Sequence, residues 1–94
     1  MYFAVTCTDK PDSLETRLAN REAHLAYIAE TGVVKAAGPL LADDGETMCG
    51  SLVILELADR AAADAWCAGD PYAKAGLFAR VDIAPWKWVI GNPD

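Results

Sequence analysis

The chain has 94 residues, is 53 % hydrophobic, and carries a net charge of −6 from eight Lys and Arg against fourteen Asp and Glu. That length holds a single small domain over residues 1–94 and leaves no room for a second core. Its sparse, scattered basic residues exclude a phosphate-tracking nucleic-acid surface and disfavour an anionic bilayer as a partner. No apolar run nears the roughly 18 residues of a membrane span.

The opening MYFAVTCT lacks the basic region and cleavage site of a secretory signal and enters a strand pattern at once. Phe3, Val5 and Cys7 alternate with Tyr2, Ala4 and Thr6, which predicts a strand over 2–8. DKPDS, from Asp9 to Ser13, is a turn cluster in which Asp12 or Ser13 can cap a helix. The helix is predicted from Leu14 to Thr31, with Gly32 as its stop and Leu14, Leu18, Leu25, Ile28 and Ala29 as its apolar stripe. His24, the single histidine, lies seven residues after Arg17 and three after Arg21, so the three share one edge of that helix. VVKAAGPLL (Val33 to Leu41) reads as a second strand interrupted by Gly38 and Pro39, a break that predicts a bulge or bend edging a pocket. After the acidic turn 42–47, CGSLVILEL (Cys49 to Leu57) is the clearest strand. Asp59 caps a second helix that stops at Gly69, and DPYAKAGLF is a turn with a short helical piece. A last strand is predicted over Ala79 to Ile90, with Trp86 and Trp88 on one face, packing at an interface in preference to stacking on a ligand.

The order β-α-β-β-α-β predicts a ferredoxin-like α+β fold, a four-stranded antiparallel sheet with its helices on one face. In GSLVILEL, Leu52 and Ile54 point to one face and Val53, Leu55 and Leu57 to the other, so both faces are apolar and the second needs a cover. A second copy, packed sheet to sheet as a homodimer, supplies one. Cys7, Cys49 and Cys67 are an odd set without close spacing, expected as buried free thiols in a reduced, cytoplasmic protein. With one histidine and dispersed cysteines, no metal site is expected.

Histidine suits acid–base work at neutral pH, although a lone one on a helix edge is more often a structural residue. Arg21 falls close to the apolar stripe, between Leu14 and Ile28, so it needs a partner. A neighbouring carboxylate tying helix to sheet is favoured over an anionic or phenolic substrate oxygen as that partner, and more strongly so for Arg17. Asp70 before Pro71 fits a helix cap, and one of its oxygens can cap while the other accepts from an imidazole. Ser51 can bind substrate or satisfy nearby backbone, and Tyr72 can donate into a pocket or simply pack. No G-x-S-x-G elbow supports a Ser–His–Asp hydrolase.

The set R-x-x-H-L (from Arg21), A-G-P (from Ala37), G-S (from Gly50) and D-P-Y (from Asp70), in that order over essentially the whole chain, resembles the YciI-like, or YCII-related, family. The resemblance implies a dimeric α/β barrel with a histidine–aspartate pair as its catalytic centre, falling here on His24 and Asp70. It implies substrate contacts from Arg21, Gly38, Pro39, Ser51 and Tyr72. One branch of the family dehydrochlorinates a chlorinated hydroxyquinol. Some members carry a longer insertion where this chain has only a short turn between Leu41 and Cys49. With no nucleotide fingerprint or metal cluster in the sequence, the expected activity is cofactor-independent proton transfer or elimination on an aromatic or enol-like small molecule. The alternative is a non-catalytic dimer that holds a small ligand or another protein.

Overall fold

Alternation along the first strand sets the two faces of the sheet. In the computed structural model, which describes residues 1–92, β1 (Tyr2–Asp9) turns Phe3, Val5 and Cys7 into the core and Tyr2, Ala4 and Thr6 to the opposite face. It pairs antiparallel with β3 (Met48–Glu56) on one side and β4 (Phe78–Trp86) on the other. The edge strand β2 (Val34–Leu41) lies beyond β3, which gives the order β2-β3-β1-β4. The register sets Phe3 opposite Leu55, Val5 opposite Val53 and Cys7 opposite Ser51. Four helices cover this face: α1 (Leu14–Ala19), α2 (Arg21–Thr31), α3 (Arg60–Gly69) and α4 (Pro71–Lys74). Ala63 and Trp66 of α3 complete the core, and Tyr27 and Ile28 of α2 pack against it. The ferredoxin-like α+β arrangement is therefore the fold. The expected domain over 1–94 extends to Pro93 and Asp94, which lie outside the described residues.

The helix predicted over 14–31 is in fact two. Asn20 sits between them at φ −110° and ψ 6°, and its side-chain amide donates to the Thr16 carbonyl at 2.8 Å. That local competition for backbone groups is why asparagine is a poor interior helix residue. Of the predicted apolar stripe only Ile28 packs on the core, and Ala29 is exposed. Leu14, Leu18 and Leu25 are 47, 52 and 51 % exposed, while Arg17 and His24 are buried. The buried line instead continues from Arg17 and His24 through half-buried Tyr27, Ile28 and Thr31. Arg17 and His24 each have a polar partner on a neighbouring element, which lowers the cost of burying them. Arg21, expected beside the buried face, is exposed.

Gly38 and Pro39 do not interrupt β2. They pair opposite Leu52 and Ser51, and the register shifts fall between Val34 and Ala36 and between Leu40 and Leu41. Proline is tolerated because β2 is an edge strand, where its missing N–H can face away from the ladder. The last strand ends at Trp86, short of Ile90. Trp88 lies beyond the strand, so the two tryptophans do not share a strand face; its ring meets Tyr2 edge-on at 5.6 Å and Trp86 at 5.2 Å. Cys7 is buried as expected, but Cys67 is only half-buried, and Cys49 is exposed where β3 has just left the exposed turn 42–47.

The uncovered face is apolar across its middle. The register lines up Ala4 with Ile54 and Ala84, Thr6 with Leu52, and Tyr2 with Trp86. Leu52 and Trp86 are exposed there. Among the described residues no helix is long and apolar enough to cross a membrane, and no group of three or more His, Cys, Asp or Glu side chains is placed to hold a metal ion.

Candidate active site

Two helix ends meet to build the first half of the site. Asp59 caps α3 by accepting from the Ala62 N–H, and α3 is tied to α2 at two points. The Tyr27 hydroxyl donates to the Trp66 carbonyl at 2.7 Å, and the Trp66 indole N–H donates to Thr31 Oγ1 at 2.9 Å. This lays the C-terminal end of α3 over α2 and delivers Asp70 to His24, 46 residues earlier, with Nδ1 and Oδ1 2.7 Å apart. Both residues are buried, His24 at 7 % and Asp70 at 4 % exposure. Asp70 also caps α4, with Pro71 at the first helical position, by accepting from the Tyr72 N–H at 3.0 Å. The same oxygen, Oδ1, serves the cap and the imidazole, where separate oxygens were expected. Toward a carboxylate, which only accepts, a ring donating from Nδ1 leaves Nε2 as the other ring nitrogen for a substrate. The Tyr72 ring stacks on His24 at 4.0 Å and 15°, holding the imidazole plane.

The second half is built around Arg17, for which the favoured expectation, a salt bridge tying helix to sheet, is what the structure shows. Arg17 spans from α1 to the end of β1 and the start of β3. Its Nε donates to Asp9 Oδ2 and its Nη2 to Asp9 Oδ1, both at 2.8 Å. Nη2 also lies 2.9 Å from both the Gly50 carbonyl and Ser51 Oγ, its two protons shared among these three acceptors. The guanidinium lies over the Tyr72 ring, 4.9 Å from its centroid. Burial alone would lower the Arg17 pKa, but the hydrogen bonds and charge of Asp9, with help from Tyr72, outweigh it and hold the group above its ordinary value. Burial raises the Tyr72 phenol, against the opposing pull of Arg17 and Arg21.

Between these halves lies a cavity of about 220 Å³, walled by α1 and α2 on one side and by β2 and β3 on the other. Arg21, His24, Gly38, Pro39, Ser51 and Tyr72 all line it. Asp70 does not line it; it contacts His24 through Nδ1. Arg17 lines it as well, and Leu25, Ile28, Met48 and Val53 supply an apolar wall that sequence reasoning did not assign to a site. Asp9 was missed altogether. Its position in the turn cluster explained it without a partner, and the available signal was a carboxylate at a strand end close in sequence to an arginine with no assigned partner.

The profile of the YCII-related domain matches residues 1–87. Protein YciI of Escherichia coli O6:H1 is 39 % identical over 98 residues, covering 96 % of this chain and 100 % of that protein. The solved 5-chloro-2-hydroxyhydroquinone dehydrochlorinase TftG of Burkholderia phenoliruptrix, in complex with 2,5-dihydroxybenzoquinone, superposes with a TM-score of 0.83 at 35 % identity, covering 93 % of this chain and 94 % of that one. A solved antibiotic biosynthesis monooxygenase superposes with a TM-score of 0.59 at 15 % identity, covering 94 % of this chain and 97 % of that one, a likeness of fold alone. With the domain match running almost from end to end and a full-length relative at 39 % identity, this chain belongs to the YCII-related family.

Proposed function

We propose that this protein is a cofactor-independent enzyme of lyase or isomerase type, acting on a small aromatic or enol-like substrate, with His24 as general base and Asp70 as the residue that orients it. The observation that carries this reading is the 2.7 Å contact between His24 Nδ1 and Asp70 Oδ1 beside the cavity His24 lines. An imidazole held this way offers Nε2 to a hydroxyl or acidic C–H of the substrate. The electron pair left behind moves through the conjugated system and expels a leaving anion. The substrate thus loses H–X overall, and the imidazolium returns its proton to water. Arg21 and Ser51 bind polar oxygens of the substrate, while Tyr72, Gly38 and Pro39 shape the wall. The likeness to a dehydrochlorinase at 35 % identity supports this reaction class, and the quinone bound by that enzyme supports a flat six-membered substrate. On the same reading the open sheet face seats a second copy, making a homodimer of the α/β-barrel kind that works in the reducing cytoplasm.

The test is to incubate the protein with 5-chloro-2-hydroxyhydroquinone and related chlorinated hydroquinones, following chloride release. Turnover is expected in the wild type, with a loss of at least about 100-fold in His24→Gln and a smaller loss in Asp70→Asn. Because the chain has one histidine, nitrogen NMR reads its tautomer directly, and the neutral ring is expected to carry its proton on Nδ1. Unchanged turnover in His24→Gln overturns the mechanism. Saturable binding without turnover of any such substrate makes the protein a ligand-binding module.

A further inference from the structure

Ser51 is buried in the cavity wall, 4 % exposed, and its oxygen accepts from Arg17. Arg17 cannot turn away, because Asp9 grips it through two parallel hydrogen bonds of 2.8 Å. A guanidinium has no acceptor atom, so at this contact the serine oxygen can only accept, and its own proton is left for another partner. Among the described residues the Ser51 hydroxyl donates to no protein acceptor. A buried hydroxyl on a cavity wall, with its proton unspent, marks the place of a ligand acceptor. The charges divide in the same sense. Asp9 matches Arg17, whereas Arg21 lines the same cavity and, among the described residues, makes no hydrogen bond or ion pair. Arg21 is therefore the unmatched cation of the cavity, in a chain whose net charge is −6.

We propose that Asp9 and Arg17 are positioning residues that make Ser51 an obligate hydrogen-bond donor, and that Ser51 and Arg21 together select a substrate oxyanion conjugated with a flat ring over a neutral ligand of the same shape. This rests on the reading of the cavity as the substrate site and adds to it the charge state of the substrate. A hydrogen bond to an oxyanion is stronger than one to a neutral oxygen, and it gains further where water is excluded. Arg17 serves the site through Ser51, its cation spent on Asp9; Arg21 meets the ligand's charge directly.

The probes are 2,5-dihydroxybenzoquinone, ionised at neutral pH, and 2,5-dimethoxybenzoquinone, the neutral ring of similar shape. Dissociation constants are measured by calorimetry on the wild type and on variants whose folding is checked by circular dichroism. The ionised quinone is expected to bind the wild type at least about 10-fold tighter than the neutral one. Ser51→Ala should weaken it by about 10- to 100-fold, the range for a hydrogen bond to a charged group. Ser51→Thr, which keeps the hydroxyl, should recover most of that loss. Arg21→Gln should remove most of the preference for the ion and its salt dependence. Arg17→Lys should weaken binding about as much as Ser51→Ala, and the double variant should bind no more weakly than Ser51→Ala alone, because both remove one coupled interaction. If Arg17→Lys does not fold, the Ser51 and Arg21 variants decide the matter. Equal binding of the two quinones to the wild type, or undiminished binding by Ser51→Ala, overturns the proposal. Multiplying effects of Arg17→Lys and Ser51→Ala overturn the positioning role. Undiminished Ser51→Ala binding with turnover lost in His24→Gln sinks this inference alone; the converse sinks the proposed mechanism alone. Failure of both quinones to bind the wild type sinks this inference, and sinks the proposed function as well when no chlorinated hydroquinone is turned over.

Discussion

His24, Arg17 and the cysteines show how a residue's surroundings set what its side chain can do. His24 tolerates burial because Asp70 takes one edge of its ring and Tyr72 covers a face. The thiols are governed by burial in the opposite sense. Burial, with smaller contributions from Cys67, Asp70 and Asp9, pushes the Cys7 thiol from 9.0 up to about 12, and burial pushes Cys67 up to about 11. Above pH 9 the unfolded chain releases these protons while the folded chain keeps them. The stability present below that pH is therefore lost as pH rises through the window from about 9 to 11 or 12. The expected result is a urea midpoint lower at pH 10 than at pH 8, with a shallower pH slope in Cys7→Ala/Cys67→Ala. Iodoacetamide at pH 8 should label exposed Cys49 first, with Cys7 and Cys67 lagging. Mass spectrometry showing uniform labelling of all three would contradict this account.

Elements place these groups, and close backbone approaches place the elements. Gly50 is the tightest such point, because a Cβ there would collide with the backbone carbonyl oxygen of Cys7 on the neighbouring strand and crowd Leu40 Cδ1. Its own carbonyl accepts from Arg17. Gly50→Ala must therefore part β1 from β3 and displace both Ser51 and Arg17, at a cost of about 1–3 kcal/mol or more, the usual range for overpacking. Urea unfolding reads the loss, and a midpoint unchanged from wild type would show that the strands give way freely. Strand alternation made β1 and the core face of β3 legible from the sequence, since Phe3, Val5, Val53 and Leu55 obey a period set by backbone geometry alone. The helix was misread for the reason its burial is unusual. Apolarity ranked Leu14, Leu18 and Leu25 as the inward stripe, but inward residues on this helix were chosen by the partners awaiting them. The pairing of Arg17 with Asp9 becomes visible only when α1 meets the end of β1, and that of His24 with Asp70, which family resemblance alone implied, forms where α2 meets the junction of α3 and α4.

At the scale of the whole molecule the open face remains. Leu52 and Ile54 lie beside Ala4 and Ala84, with Trp86 at one end, and Val89 and Ile90 are largely exposed beyond β4. An apolar sheet face of this extent is expected to be covered by a second copy. Light scattering at micromolar concentration should return about twice the chain's 10.0 kDa mass. Leu52→Glu, which places a charge in the middle of that face, should shift the protein to a single-chain mass with the helix-covered core unchanged by circular dichroism. A wild type that scatters as a single chain would leave the face without its proposed cover.

The sequence by itself determined the order of the elements, the two faces of the central strands and the caps at Asp59 and Asp70, because each depends on residues a few positions apart. Resemblance to a family, rather than spacing, singled out His24 and Asp70. Only the tertiary structure decided which helix face turns inward, that Arg17 instead of Arg21 is the buried arginine, and that Asp9 is its partner. Those outcomes depend on contacts spanning 8 residues for Arg17 with Asp9, 34 for Arg17 with Ser51 and 46 for His24 with Asp70. Burying a charge or an imidazole is tolerable when such a partner meets it, and a local pattern of apolar residues carries no record of a partner that distant.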